Sequence, residues 1–250
     1  MKTPDPTRGI LERHREKFGR QLVLRKLYHS WYERMSTFFP DVGTILEVGC
    51  GPGSLKAWAP RIRSSDVLRL PWLDLVCNAQ ALPFLPGSVA AIVGVDVLHH
   101  VPRPARFLHD AEVILRPGGR VVLTEPHISL ASLPAYGLLH SERIRRDIDL
   151  FDDTLPNHFA SPMDGNLALS WLLFVRHRRK FRARFPNLRL VRYETLGTLV
   201  YPLSGGYDQL RLVPDCFVPA LERLERWLAP VSRWLAFRSI IVLEKRGSFG

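Results

Sequence analysis

A chain of 250 residues with 46% apolar side chains can bury the core of one α/β domain with additions, and none of its apolar runs approaches the roughly 20 residues of a membrane span. Three cysteines (Cys50, Cys77, Cys216) at unrelated spacings exclude a disulfide framework and a C-x-x-C pair, which points to a reducing compartment. A net charge of +11 and a pI of about 10.1 favour anionic partners: nucleic acid, an acidic membrane face or phosphorylated molecules. Met1 to Pro6 carry no apolar signal segment, so a soluble, cytoplasmic protein with at most peripheral membrane contact is expected.

Residues 8–39 read as one or two amphipathic helices. Ile10, Leu11, Phe18, Leu22, Leu24, Leu27, Tyr28, Trp31, Met35 and Phe38 recur near helical spacing, with Arg and Lys between them. Pro40 and Gly43 end the segment. Such a helix packs on the core, caps a ligand or lies on a membrane surface; packing or capping is the expectation here.

Thr44 to Val48 is a short apolar run, read as a buried strand, and glycines follow at every second residue: Glu47-x-Gly49-x-Gly51-x-Gly53. Ser54 can cap a helix that starts at once. Glycine lacks a Cβ, so the backbone of such a turn can press against a ligand. A dinucleotide fold spaces its glycines G-x-G-x-x-G over a pyrophosphate. The acid ahead of Gly49 would repel a pyrophosphate and suits a cationic amino group. Pro60 cuts the following helix short, and Arg61–Val67 reads as the second strand with Asp66 at its end. A carboxylate there can accept both ribose hydroxyl protons.

Leu73–Cys77 reads as a third strand, followed by Asn78-Ala79-Gln80-Ala81-Leu82-Pro83-Phe84. Val89–Leu98 is nearly continuous in apolar residues, as a central parallel strand requires, with Asp96 near its end and His99 and His100 just beyond. Neighbours on a strand point to opposite faces, and no carboxylate or Cys completes a ligand set at suitable spacing, so no metal site is expected. Pro104–Leu115 is a helix, stopped by Arg116-Pro117-Gly118-Gly119-Arg120 ahead of the strand Val121–Thr124.

Three of these stretches, in this order, resemble the class I S-adenosylmethionine-dependent methyltransferases, and the type 11 methyltransferase domain in particular. They are the Glu47–Gly53 turn, the Asn78–Phe84 segment (where the family has D-A-x-x-L-P-F, with an acid in place of Asn78) and Leu115–Arg120. The resemblance covers residues 44–125 and implies a Rossmann-like, doubly wound, seven-stranded mixed sheet with helices on both faces, an N-terminal helical cap and an inserted substrate lid. It implies one domain over 1–250, divided into a cap (1–40), a cofactor half (41–127) and a lid and substrate half (128–250). It implies S-adenosylmethionine as cofactor. Glu47 would hold the methionine ammonium, and Gly49, Cys50, Gly51 and Gly53 would line the methionine moiety. Asp66 would bind the ribose, Asn78 and Ala79 would read adenine, and Asp96 would line the methionine side.

Beyond Glu125-Pro126-His127 the pattern is less regular. Residues 128–163 are loop-rich and carry His140, Glu142, Asp147, Asp149, Asp152, Asp153 and His158. The family inserts substrate-covering segments here, so a lid is expected, although a solvated acidic loop has the same composition. Asn166–Phe185 reads as a helix whose basic half, Arg176–Arg184, meets phosphates or is only an exposed face. Leu188–Tyr193 is a strand, Ser204–Tyr207 a turn, Pro219–Leu235 an amphipathic helix and Ser239–Leu243 a final strand; a last hairpin-like strand pair fits the family's mixed sheet, with one antiparallel edge strand.

Methyl transfer to a hydroxyl needs a base, and His100, His127 and His140 are the candidates, with Glu125 as an outsider. The favoured function is methyl transfer to a small-molecule acceptor (a lipid, quinone, sugar or secondary metabolite), anionic or membrane-associated. One alternative is an RNA methyltransferase, motivated by the charge. Against it, Asp96-Val97-Leu98-His99 stands where amino-methylating nucleic-acid enzymes have Asn/Asp-Pro-Pro-aromatic. A non-catalytic cofactor-binding protein is the other.

Overall fold

The computed structural model describes residues 6–140, 142–152, 159 and 161–247. Asp153 and His158 of the expected lid lie outside the described residues. Seven strands form one sheet: β1 (Ile45–Glu47), β2 (Arg63–Asp66), β3 (Leu75–Val76), β4 (Val89–Val95), β5 (Leu115–Pro126), β6 (Leu188–Leu196) and β7 (Arg238–Lys245), in the order β3-β2-β1-β4-β5-β7-β6. β1 to β5 are parallel, and the chain order reverses between β1 and β4. That reversal opens the crevice where doubly wound sheets hold ligands, outside the strands' carboxyl ends.

The last two strands correct the expected topology. β7 is antiparallel but not at the edge: it inserts between β5 and β6 and pairs with both. Its residues Arg238 to Leu243 are all buried, as an interior strand requires, while β6 puts Arg189 and Arg192 in solvent. Charged side chains of that kind keep an edge strand from pairing with another chain.

Both faces of the sheet are covered. Helices α1 (Pro6–Arg20) and α2 (Leu22–Ser36) break at Gln21, which is extended. α2 buries Leu24, Leu27, Trp31 and Met35 against Ile45, Val93, Val122 and Ile240. On the other face α4 (Pro104–Ile114) packs Phe107, Leu108 and Ala111 against Leu46, Ile92 and Val121. Each Leu, Ile, Val, Met or Phe side chain so buried contributes about 1.5–3 kcal/mol. α3 (Ser54–Trp58) is one short turn, as Pro60 dictates.

Where longer helices are expected the chain is interrupted. α5 (Ser132–Leu139) occupies part of the loop-rich stretch. The expected Asn166–Phe185 helix divides into α6 (Leu169–Trp171), a π turn (Leu172–Arg176) and α7 (Arg178–Arg184). α8 (Val200–Ser204) precedes the Gly205-Gly206 turn. α9 (Val218–Leu228) stops before Pro230, which cannot donate to the next turn. Among the described residues no helix is long and apolar enough to cross a membrane.

Candidate active site

A cavity of about 530 Å³ lies at the carboxyl ends of β1, β2 and β4. Its first end is built by the glycine turn. Gly49, Cys50 and Gly51 line it, together with Glu47, Asp66, Asn78, Ala79 and Asp96. Gly53 does not. A Cβ there would meet Trp72 Cδ1 at 2.6 Å, so this glycine serves the packing of the turn and not the cavity wall. Gly51 has a φ of +48°, and a Cβ on it would meet only Leu11 Cδ2, at 3.8 Å. The turn is held from several sides: Gly51 N–H donates to Asp66 Oδ2 (3.1 Å), Trp72 Nε1 to Gly51 O (2.9 Å), and Arg15 Nη1 to Pro52 O (2.6 Å).

α1 closes this end. Leu11 and His14 line the cavity, and His14 pairs with Asp208 at 2.9 Å and stacks on Tyr207. α2 contributes Tyr28 and Tyr32.

Glu47 is 2% exposed, and its Oε2 has no hydrogen-bond partner. Burial pushes its carboxyl up to about 8, and the charge of Asp66 adds to that. A buried carboxyl with an unpartnered oxygen at a ligand wall fits a cation donor such as an ammonium. Burial also raises the Asp66 carboxyl, against backbone N–H groups that lower it. Asn78 Oδ1 accepts from Gln80 N–H at 2.9 Å.

Asp96 takes a φ of +56°, uncommon for a residue with a side chain. Its Oδ2 accepts from Arg238 Nη2 and from Tyr28 OH. Arg238, at the start of β7, is 4% exposed, lies 4.5 Å from the Tyr201 ring and lines the cavity. Sequence reasoning missed it. The signal was an Arg just ahead of the apolar run Ile240–Leu243.

The second end is a cluster of histidines and carboxylates. β4 ends at Val95, and residues Leu98–His100 form a 3-10 turn, not strand. His99 and His100 therefore face the same place, their ring centroids 4.1 Å apart, and the alternation argument that separated them fails. Glu125 Oε1 accepts the N–H groups of Val97 (3.0 Å) and Leu98 (2.7 Å), and its Oε2 meets His99 Nδ1 at 2.7 Å. From the lid, Glu142 Oε2 stands 3.3 Å from His99 Nε2, and Glu142 Oε1 stands 4.0 Å from both His100 Nε2 and His140 Nδ1.

Asn166 fixes this arrangement. Its backbone N–H donates to His99 O, and its side chain bonds the backbone N–H and C=O of Arg145, each at 2.9 Å. Gly165 makes room, since any Cβ there would collide with Glu142 Oε2. Burial opposes charge on His99, but Glu142 and Glu125 outweigh it and hold its pKa at about 10. Burial opposes charge on Glu142 as well, and His99 outweighs it, holding the carboxyl down at about 2. Burial lowers the pKa of His100 and of His140.

The three histidine candidates thus separate. His100 and His140 line the cavity. His127 does not: its N–H extends the β5–β7 ladder to Phe237 O, and its ring turns to Tyr193 OH at 2.8 Å. His99, Glu125 and Glu142 join the cluster instead. Glu142 stands two residues after His140, but no local pattern announces a contact across 43 positions. The basic run Arg176–Arg184 contributes nothing to the cavity wall.

A family model described as a methyltransferase domain matches residues 18–184. The ubiquinone biosynthesis O-methyltransferase of Pseudomonas paraeruginosa is 28% identical, over 39% of this chain and 58% of that protein. The fatty-acid O-methyltransferase of Mycolicibacterium smegmatis is 27% identical, over 58% of this chain and 56% of that protein. The chain thus spans less than two thirds of the length of either relative. A solved S-adenosylmethionine-dependent methyltransferase from Thermotoga maritima superposes with a TM-score of 0.56 at 15% identity, covering 96% of this chain and 100% of that one, a likeness of fold.

Proposed function

This chain belongs to the methyltransferase-domain family that its residues 18–184 match, in the class I, S-adenosylmethionine-dependent form, and on that premise we propose that it methylates an oxygen of a small acceptor with an apolar body. The observation that carries this is one cavity with two chemically different ends. At one, Glu47 has an unpartnered oxygen; at the other, His99, kept protonated by two carboxylates, and the imidazoles of His100 and His140, whose pKa burial lowers, surround Glu142.

The first end fits the cofactor. Glu47 would bind its ammonium, Asp66 its ribose, and Asn78 and Ala79 its adenine. S-adenosylmethionine supplies a methyl group on a sulfonium, whose departure leaves a neutral thioether. The protein's share is then alignment, worth about 7–11 kcal/mol in well-oriented reactions, and removal of the acceptor's proton. His100 is suited to the proton: its Nδ1 is engaged by Asp164 O at 3.0 Å, so Nε2 carries the lone pair.

The acceptor end is walled by Tyr136, Leu139, Met163, Tyr201 and Phe237, with exposed Leu138 beside it on α5. Apolar walls of this kind favour a lipid or quinone over a sugar. The two relatives, one named for ubiquinone biosynthesis and one for fatty acids, support that class. The net charge of +11 supports an acceptor that is anionic or carried at an acidic membrane surface.

Calorimetric titration with S-adenosylhomocysteine tests the reading, with NAD as control. Micromolar binding of the first and none of the second is expected. A folded chain that ignores S-adenosylhomocysteine sinks the proposal.

A further inference from the structure

The acceptor end has the parts of a metal centre. His99 Nε2, His100 Nε2 and a Glu142 carboxylate oxygen lie within 4.8 Å of one another. Each imidazole is oriented through its other nitrogen: His99 Nδ1 by the buried Glu125 carboxylate at 2.7 Å, His100 Nδ1 by the backbone carbonyl of Asp164 at 3.0 Å. A carboxylate and a backbone carbonyl are the two outer partners that metal-binding histidines usually have.

The donor atoms also fail to satisfy one another. Glu142 Oε2 is buried and, although 3.3 Å from His99 Nε2, makes no aligned hydrogen bond. Glu142 Oε1 faces the lone pair of His100 Nε2 at 4.0 Å, and that of His140 Nδ1, which takes the Glu142 N–H, also at 4.0 Å. The lone pairs of His100 and His140 thus face a buried carboxylate that only the His99 proton serves, and a cation bound among them would satisfy all of these acceptors.

We propose that His99, His100 and Glu142 hold one divalent transition-metal ion of the zinc–cobalt–manganese group at the acceptor end of the cavity. Two imidazoles and one carboxylate suit these borderline ions, and three protein ligands leave a position open, as in catalytic sites. Ligand bonds of about 2.0–2.2 Å put tetrahedral donors roughly 3.4 Å apart. His99 Nε2 is 3.3 Å from one Glu142 oxygen and His100 Nε2 4.0 Å from the other, and one donor atom from each residue already falls within 4.8 Å, so small turns of the Glu142 and His100 side chains close the set. The ion takes the place of the proton on His99 Nε2, which is released to solvent.

The ion's role, unlike its binding, rests on the methyl-transfer reading. An acceptor oxygen on the open position loses its proton to solvent more readily. Its electron pair then forms the O–CH3 bond, and the C–S pair stays on sulfur. His100 is in that case a ligand, and the metal does the work assigned above to its lone pair.

The test is titration of the chelator-treated full chain with Co²⁺, read by its visible d–d absorption and separately by S-adenosylhomocysteine calorimetry. One equivalent of Co²⁺ is expected to bind with intense bands that Zn²⁺ abolishes. His100→Ala and Glu142→Gln are expected to weaken Co²⁺ by at least about tenfold. Their binding of S-adenosylhomocysteine is expected to be unchanged, which shows that the variants fold. Absence of bands in a chain that binds S-adenosylhomocysteine overturns the metal proposal, and so do bands that survive both substitutions. Co²⁺ binding that depends on both residues, in a chain that ignores S-adenosylhomocysteine, supports the metal and overturns the methyl-transfer reading instead.

Discussion

Two buried carboxyls share one cavity and are driven in opposite directions. Glu47, at the end of β1, is raised to about 8, and Glu142, in the lid, is lowered to about 2. Burial raises both. The difference is what stands beside them. Glu47 has a second carboxylate, Asp66, whose effect the charge of Lys56 only partly offsets; Glu142 has His99, His100 and His140. The first end of the cavity therefore lacks a positive charge that a ligand can bring, while the second supplies its own.

The sharpest way to break that comparison is Glu47→Gln. S-adenosylhomocysteine affinity is expected to fall about 10–100-fold, because a charge-assisted bond to the ligand's ammonium is worth roughly 1.5–3 kcal/mol. The same substitution is expected to stabilise the free chain at pH 8. A carboxyl whose folded pKa lies above its unfolded value keeps its proton longer when folded, so stability is full below about 4.5 and declines as pH rises through 8. Glutamine removes that decline. Wild-type affinity is expected to climb as pH rises through about 8, where Glu47 ionises, and to fall only at higher pH as the ligand's α-amino group loses its proton. Calorimetry across this range decides it. A flat profile in the wild type would mean that Glu47 does not hold the ammonium.

The two ends also differ in how legible they are in the sequence. Glu47 and Asp66 end successive parallel strands, and Gly49, Gly51 and Ala79 follow on the turns beyond strand ends, where chain order and spatial order coincide. The spacing of the strand ends and the resemblance to the family together place them at one edge. The helix α2, the β4 run and the antiparallel β7 were readable from their apolar patterns, but β7's place inside the sheet was not. That depended on β6 being long and Arg-studded enough to serve as an edge.

The acceptor end depends on tertiary contacts. His99 and His100 converge only because the strand stops at Val95 and gives way to a 3-10 turn. Glu142 arrives because Asn166 ties Arg145 to the His99 turn. Neither event has a periodicity to detect, and an expectation built on strand alternation separated side chains that the turn brings together.

His127→Phe sharpens the comparison from the other side. His127 was a candidate by position, just after β5, yet its ring bonds Tyr193 OH away from the cavity. Phenylalanine removes that bond and leaves Ser239 as the hydroxyl's side-chain partner, at a cost of about 1 kcal/mol. For a chain of this size that lowers Tm by roughly 2–4 °C per kcal/mol. Cofactor affinity and turnover with any accepted substrate are expected to match the wild type. A fall in kcat with Tm unchanged would return His127 to the site and undo the division between the ends.

The smallest expected effect is a gain. Asn78 stands where the family has an acid, and its Oδ1 is already committed to Gln80 N–H at 2.9 Å. One oxygen must then serve both the turn and the adenine amino group. Aspartate has two oxygens, so one can keep the turn while the other accepts from adenine, and its charge strengthens both bonds. Asn78 is exposed, so solvent limits the benefit to below about 1 kcal/mol, a factor of about five or less in affinity. Asn78→Asp is therefore expected to tighten S-adenosylhomocysteine severalfold without altering Co²⁺ binding at the far end. Equal affinity in the two proteins would mean that the amide oxygen already serves both partners, and that the departure from the family's acid costs this cavity nothing.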